Sequence, residues 1–215
     1  TGARLNQMRL RRGEHRLTDT ELSRLHQQSP LVHSDEGTEN ISEGIALTVD
    51  LQGAGGTGLI GYNARPHAPL IDMEKINHYD PVDFWEPIYA GTGTESGLVL
   101  NPDDFYILAS REAVSVPPDH AAEMVAYDTL VGEFRVHYAG FFDPGFGWAE
   151  AGGKGTRAVL EVRSHDVPFL LEHGQTVGRL VYERLTDSPD RIYGEDIGSN
   201  YQKQTLALAK QFRRG

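Results

Sequence analysis

The sequence predicts a mainly β protein, an antiparallel β-barrel or sandwich with short flanking helices. Two observations lead there. Short runs rich in β-branched and aromatic residues recur from Ile41 to Leu185, each bounded by Gly, Pro, Asn or Asp. No helical periodicity separates them, which argues against the alternating strands and helices of a parallel α/β sheet. The helical signals stand only at the two ends of the chain.

In chain order, residues 1–13 read as a terminal strand. Thr1 to Gly13 resembles His173 to Leu185: both segments have Gly second, apolar residues fifth, eighth and tenth, and Arg twelfth. A repeat of this kind makes Thr1 to Gly13 the last strand of an upstream copy in a tandem protein; the alternative is chance likeness between two strands. Residues 14–40 read as a helix and a linker. Thr18 and Glu21 have capping-box spacing, Leu22 and Leu25 share one face, Pro30 closes the helix, and Ser34 to Asn40 is polar. Residues 41–190 hold the barrel strands: Ile45–Leu51, Leu98–Leu100, Phe105–Ala109, Phe134–Tyr138, Ala158–Val162 and Val177–Tyr182. Glycine-rich Gly53 to Gly58 follows a strand without opening a helix, so a hairpin loop is expected there and not a phosphate loop. Residues 191–215 form a tail, in which Leu206, Ala209 and Phe212 have helical spacing ahead of a basic end.

Composition narrows the function. A length of 215 residues suits one domain with appendages. The net charge of −11 argues against a general nucleic-acid surface, which needs clustered Lys and Arg, while one locally basic nucleotide pocket stays open. With no cysteine, the chain has neither disulfides nor thiolate metal ligands and is not a zinc deaminase of the Cys-x-x-Cys type. No run approaches the length of a membrane span and no signal-peptide core opens the sequence, so a cytoplasmic location and no membrane partner are expected.

The most informative stretch is Ala139-Gly140-Phe141-Phe142-Asp143-Pro144-Gly145-Phe146, followed after a glycine-rich turn by Ala158 to Val162. It reads as a strand, a tight turn holding an aspartate, and a second strand with one acid among apolar neighbours. A carboxylate between Leu160 and Val162 is costly to bury unless paired or protonated, which marks Glu161 for acid/base work. Its bland alternative is a structural pair with Arg163 or Arg157. Asp143 before Pro-Gly suits a turn by its own chemistry. Arg135 and His137 share one face of a period-2 strand, either exposed or facing substrate. Gly152 to Gly155 reads as a hairpin loop sooner than a phosphate cradle. His67, His78 and His165 lack the paired spacing of a metal site, and Phe84-Trp85 and Trp148 read as core or subunit contacts.

Together, Phe142 to Phe146, Leu160-Glu161-Val162 and Gly174 to Leu185 resemble the dCTP deaminase family, whose distorted β-barrel is shared with the trimeric dUTPases. The likeness continues through Leu100 to Ala109, Arg111 to Val114, Val116 to Asp119, the early strand Ile45 to Leu51, and Tyr193 to Asp196 with Tyr201 and Gln204, about Ile41 to Gln204 in all. The resemblance implies hydrolytic deamination of dCTP to dUTP and ammonia without a catalytic metal. Glu161 matches the family's glutamate base, and partial burial would lift its pKa towards the working pH. By the same analogy Ala139, Gly140 and Phe142 would shape the base and sugar pocket, Asp143 would hold the turn beside it, and Tyr193, Lys203 and Gln204 would reach the triphosphate from the tail. Magnesium would ride on the substrate phosphates, and dTTP or dUTP would be further ligands.

The family's Arg-Ser-Ser run and following arginine are absent from Val125 to Leu130, and Asn200 stands where the tail lysine is expected. Arg135 is the nearest replacement for the missing arginine. Because the family's site forms between subunits, the chain is expected to be a homo-oligomer, or a pseudo-trimer with an upstream repeat that supplies the missing serines. Two other readings stand beside this one: a dUTPase-like or bifunctional enzyme, and a non-catalytic repeat that completes an assembly.

Overall fold

The computed structural model describes residues 10, 13–34, 40–53, 57–91, 97–126, 134–136, 140–148, 155–164, 166–190, 192, 206 and 208–213. One helix, α1 (Asp19–Gln28), precedes the strands β1 (Val32–His33), β2 (Ile45–Thr48), β3 (Leu59–Ala64), β4 (Trp85–Tyr89), β5 (Leu98–Leu100) and β6 (Tyr106–Val114). There follow β7 (His120–Ala126), β8 (Phe134–Val136), β9 (Gly140–Phe142), β10 (Thr156–Ser164), β11 (Phe169–Leu171) and β12 (Thr176–Arg184). Every strand pair is antiparallel. One sheet runs β4-β3-β6-β10-β8 with β1 on β6, a second runs β2-β12-β7-β9, and β11 pairs β5. The fold is thus mainly antiparallel β with little helix, and among the described residues the sheets do not close into a continuous barrel.

Alternation explains how the sheets pack. Ala158, Leu160 and Val162 of β10, Leu108 and Val114 of β6, Ile45 and Leu47 of β2, and Leu180 and Tyr182 of β12 all turn inward to one core. Each buried Leu or Val side chain contributes about 1.5–3 kcal/mol relative to exposure. The sheets are stitched where β2 ends: Val49 bridges Ser110, and the Asp50 amide donates to the Ala109 carbonyl at 2.9 Å. Glu112 of β6 is buried and accepts from the Thr48 amide at 2.8 Å and the Thr48 hydroxyl at 2.6 Å. In β10 the register shifts between Arg157 and Val159, and Ser110 Oγ accepts the Ala158 amide at 2.9 Å, which satisfies a donor the bulge removes from the ladder.

The helix forms as its caps predict. Thr18 accepts from the Glu21 amide, the Glu21 carboxylate accepts from the Thr18 amide at 2.9 Å, and Leu22 is buried against the core. The helix ends at Gln28 with Ser29 as its C-cap, one residue before Pro30. Between the helix and the polar stretch, Val32 and His33 form a short strand against Val114 and Ala113. Two expectations need correction. The Gly53 to Gly58 loop is not a hairpin, because β2 and β3 belong to different sheets. The end of the tail is not helical: residues 210–211 form a turn and Phe212 makes a parallel bridge to Tyr79. There its ring packs 5.3 Å from Phe84 and 6.3 Å from Trp85, so the apolar spacing served a docking contact and not a helix face. The terminal strand expected in residues 1–13 lies outside the described residues apart from Leu10 and Gly13. Among the described residues no helix is long and apolar enough to cross a membrane.

Tyr182 shows what the core demands of a polar group. Its ring is fully buried and its hydroxyl donates to the Ser115 carbonyl at 2.7 Å. Burial pushes the phenol far above its ordinary value of 10.0. Below pH 10 the folded and unfolded chains both hold this proton. Above it the unfolded chain releases a proton that the folded chain keeps, so stability falls by about 1.4 kcal/mol per pH unit from this group. Tyr62 and Tyr106, also raised mainly by burial, act in the same direction. In urea titrations from pH 9 to 11, Tyr182→Phe is expected to remove one such share of the slope, at a cost of about 1–2 kcal/mol at pH 7 from the carbonyl left without its donor.

Candidate functional site

β10 carries the site because its alternation divides two chemistries. Ala158, Leu160, Val162 and Ser164 are buried, while Glu161 and Arg163 project from the opposite, outer face. Glu161 is opposite Ile107 of β6, and Ile107 is opposite Tyr62 of β3, so these three residues form one row across three strands. Next along the face, the Arg163 guanidinium lies 5.0 Å from the Phe105 ring centroid. Phe105 packs at 6.1 Å on Trp85, and Trp85 meets Tyr62 edge-on at 6.4 Å. A cation seated on this aromatic strip is held two residues from Glu161, roughly 7 Å along the strand.

The expected burial of Glu161 is therefore corrected: in the single chain it is exposed. Leu-Glu-Val is an alternating sequence, and its apolar members face the core while the acid faces out. The two arginines weighed as its structural partners have other contacts: Arg163 sits on Phe105, and Arg157 Nη1 donates to Asp50 Oδ2 at 2.5 Å.

The remaining site residues divide between places. On β8, Arg135 stands in register with Arg163, and its neighbour Val136 pairs with Val162, which brings Arg135 beside the Glu161 segment. Gly140 pairs with Met124 and Phe142 with Ala122, at the edge of the other sheet. Phe142 is a core residue whose ring packs at 5.0 Å on Phe146. Asp143 starts the turn as its Pro-Gly context predicts, its carbonyl accepting from the Phe146 amide at 3.0 Å. That turn is clamped on Val116, whose carbonyl accepts from Gly145 at 2.9 Å and whose amide donates to Phe146 at 2.8 Å. The connection from β9 to β10 that contains Gly152 to Gly155 joins different sheets and is not a hairpin. Ala139, Tyr193, Lys203 and Gln204 lie outside the described residues.

One polar pair escaped the sequence reading. Asp50, nearly buried, accepts from the Gln52 and Gly53 amides at 2.8 and 3.2 Å as well as from Arg157, a residue 107 positions away. His173 Nδ1 lies 3.8 Å from its other oxygen. The available signal was an acid ending the apolar strand Ile45 to Val49, where a carboxylate leaving the core needs a cation. Among the described residues, no cluster of His, Asp and Glu could hold a metal ion.

Residues 18–212 match the family model for the 2'-deoxycytidine 5'-triphosphate deaminase (DCD) C-terminal domain. A "dCTP deaminase, dUMP-forming" of Halobacterium salinarum is 34% identical over 154 residues, 67% of this chain and 74% of that protein. A protein of the same description from Beutenbergia cavernae is 32% identical over 63% of this chain and 69% of its own length. The crystal structure of 2'-deoxycytidine 5'-triphosphate deaminase from Agrobacterium tumefaciens superposes with a TM-score of 0.76 at 55% identity. That match covers 86% of this chain but only 53% of the Agrobacterium chain, so the present chain spans about half its length. The chain belongs to the dCTP deaminase family, in the part of it represented by the C-terminal domain.

Proposed function

We propose that this chain carries the glutamate of a hydrolytic dCTP deaminase. The observation that carries the reading is the outward projection of Glu161 from β10, on the same exposed face as Arg163 and in one row with Ile107 and Tyr62, in a chain matched to the family over residues 18–212. In this reaction Glu161 takes a proton from water, and the hydroxide adds to C4 of cytosine. The proton passes to N3, Glu161 then carries the proton of the new C4 hydroxyl to the amino group, which leaves as ammonia as the C4 carbonyl forms, and dCTP plus water becomes dUTP plus ammonia. Arg135 and the backbone around Ala139 and Gly140 border the substrate, and Tyr193, Lys203 and Gln204 of the tail contact its triphosphate, with magnesium on the phosphates.

The exposure of Glu161 gives the site a second requirement. A carboxylate in open water has no means of excluding bulk solvent from a cytosine ring. A neighbouring subunit or an upstream half of the polypeptide therefore covers this face and supplies the phosphate-binding serines and arginine absent from Val125 to Leu130. Asp143 stays a turn residue beside the pocket.

A second reading is favoured by the descriptions of the Halobacterium and Beutenbergia relatives, which are dUMP-forming. In that case the same chain also cleaves between the α- and β-phosphates. Incubation with dCTP, with ammonia and pyrophosphate followed separately, decides among the readings. Ammonia alone is the expected result; ammonia with equal pyrophosphate establishes the dUMP-forming reading. Neither product, from the chain together with its natural partner segment, leaves a non-catalytic repeat.

A further inference from the structure

A cavity of about 230 Å³ opens where β3, β6 and β10 meet the C-terminal segment. Asp50, Thr57 and Arg157 form its polar part, and Leu59, Ile60 and Leu206 its apolar part. Arg157 precedes Glu161 by four residues on β10, roughly 13 Å along an extended strand, so this cavity and the glutamate are separate places. Leu206, from the C-terminal part of the chain, completes the wall beside the sheet residues.

The hydrogen-bonding capacity of the walls is one-sided. Guanidinium has five N–H donors, and among the described residues one is used, on Asp50, which leaves four. The Thr57 oxygen accepts from the Leu59 amide at 3.3 Å, and its own proton has no acceptor among the described residues. Asp50 is the acceptor side chain of the walls, and three donors already converge on it. What the cavity lacks is oxygen acceptors. Its charge is also nearly balanced, since the Asp50 carboxylate lies 2.5 Å from Arg157, and that carboxylate repels a multiply charged anion. The size is below the roughly 300 Å³ at which pockets for drug-sized ligands begin, so a single ring or short chain is the largest occupant.

From these observations we infer that the Asp50–Arg157 cavity is a binding site for a small molecule that presents oxygen acceptors on an apolar body and carries at most one negative charge. The guanidinium fork takes the acceptors, Thr57 donates to a third position, and Leu59, Ile60 and Leu206 cover the apolar part. Both a neutral carbonyl-bearing ring and a short carboxylate have this chemistry. The site does not depend on Glu161 or on the deaminase reading.

The test uses the full 215-residue chain. Uracil, propionate and inorganic phosphate are titrated separately while the Arg157 Nε–H signal and the Thr57 and Leu206 amides are followed by ¹H–¹⁵N NMR. Saturable shifts with uracil identify a neutral ring ligand, and saturable shifts with propionate a monoanion; either supports the site. Arg157→Lys keeps a cation on Asp50 but loses the fork, and is expected to weaken the responding probe about tenfold, the loss of one charge-assisted hydrogen bond. Thr57→Val removes the hydroxyl without touching the ion pair, and is expected to weaken it about threefold. If Arg157→Lys does not fold, Thr57→Val decides alone. The proposal is overturned by no saturable response, which means a cavity filled by water, by phosphate binding as well as the other probes, or by affinities unchanged in the variants.

Discussion

Glu161→Gln is expected to lower dCTP turnover by about 10²- to 10⁴-fold, the usual contribution of a positioned general base, while leaving the fold in place. Glutamine keeps the length and hydrogen-bonding shape of the side chain and loses only the basicity that the first proton transfer needs. The structural side of the expectation follows from its position. Its side chain is exposed, and the core beneath belongs to Leu160 and Val162, so urea unfolding should move by no more than about 0.5 kcal/mol. Both readouts are needed. Turnover within a few-fold of the unmutated chain removes Glu161 from the mechanism, and a large loss of stability with the loss of turnover makes it a structural acid. Glu161→Asp sharpens the comparison: it keeps a carboxylate but withdraws it by one methylene, so turnover should fall through geometry, with the KM for dCTP changed less than kcat.

What the sequence revealed and what it concealed differ by the range of the interaction involved. The capping box of Thr18 and Glu21 acts across three residues, and the structure forms it as written. The strands around Leu108, Leu160 and Leu180 were legible because β-branched and apolar residues are bounded by turn residues. Sheet membership was not, because it is decided by partners distant in sequence. Gly53 to Gly58 has hairpin composition, yet β2 on one side pairs with β12 and β3 on the other with β4 and β6. Glu161 was singled out by its neighbours, and the same neighbours misled on its burial. Leu160 and Val162 are buried, and the period of a strand puts the residue between them on the opposite side. A lone acid within an apolar run is evidence of burial in a helix interior or a two-faced buried strand, but not in a strand with one solvated face. The Asp50–Arg157 pair shows the same limit, since nothing local connects residues 107 apart.

Gly147→Ala is expected to destabilise the fold by about 2–4 kcal/mol, the sum of a strained backbone and an overpacked contact. Gly147 has φ of +62°, a conformation that L side chains rarely adopt. A Cβ placed there would lie 2.1 Å from the Val114 carbonyl oxygen and 2.7 Å from the Thr156 amide nitrogen. Both are backbone atoms of the paired strand ends, Val114 closing β6 and Thr156 opening β10, and neither can rotate away. The Gly147 carbonyl meanwhile accepts from the Ser115 hydroxyl at 2.7 Å and the Gly155 amide at 2.8 Å, so displacement of this residue also breaks the bonds that close the turn after Asp143. Gly58→Ala separates the two contributions. Gly58 has a similar φ of +68°, and a Cβ added there would meet nothing within 4 Å, so only backbone strain remains, about 1 kcal/mol. A Gly147 variant no less stable than the Gly58 variant means that β6 and β10 part easily at this point. The turn would then be loosely held, and Asp143 could not be relied on to fix the chain beside the site. If the larger loss is found, the turn is set by contact with β10 itself, and the strand that presents Glu161 also locks the segment opposite it.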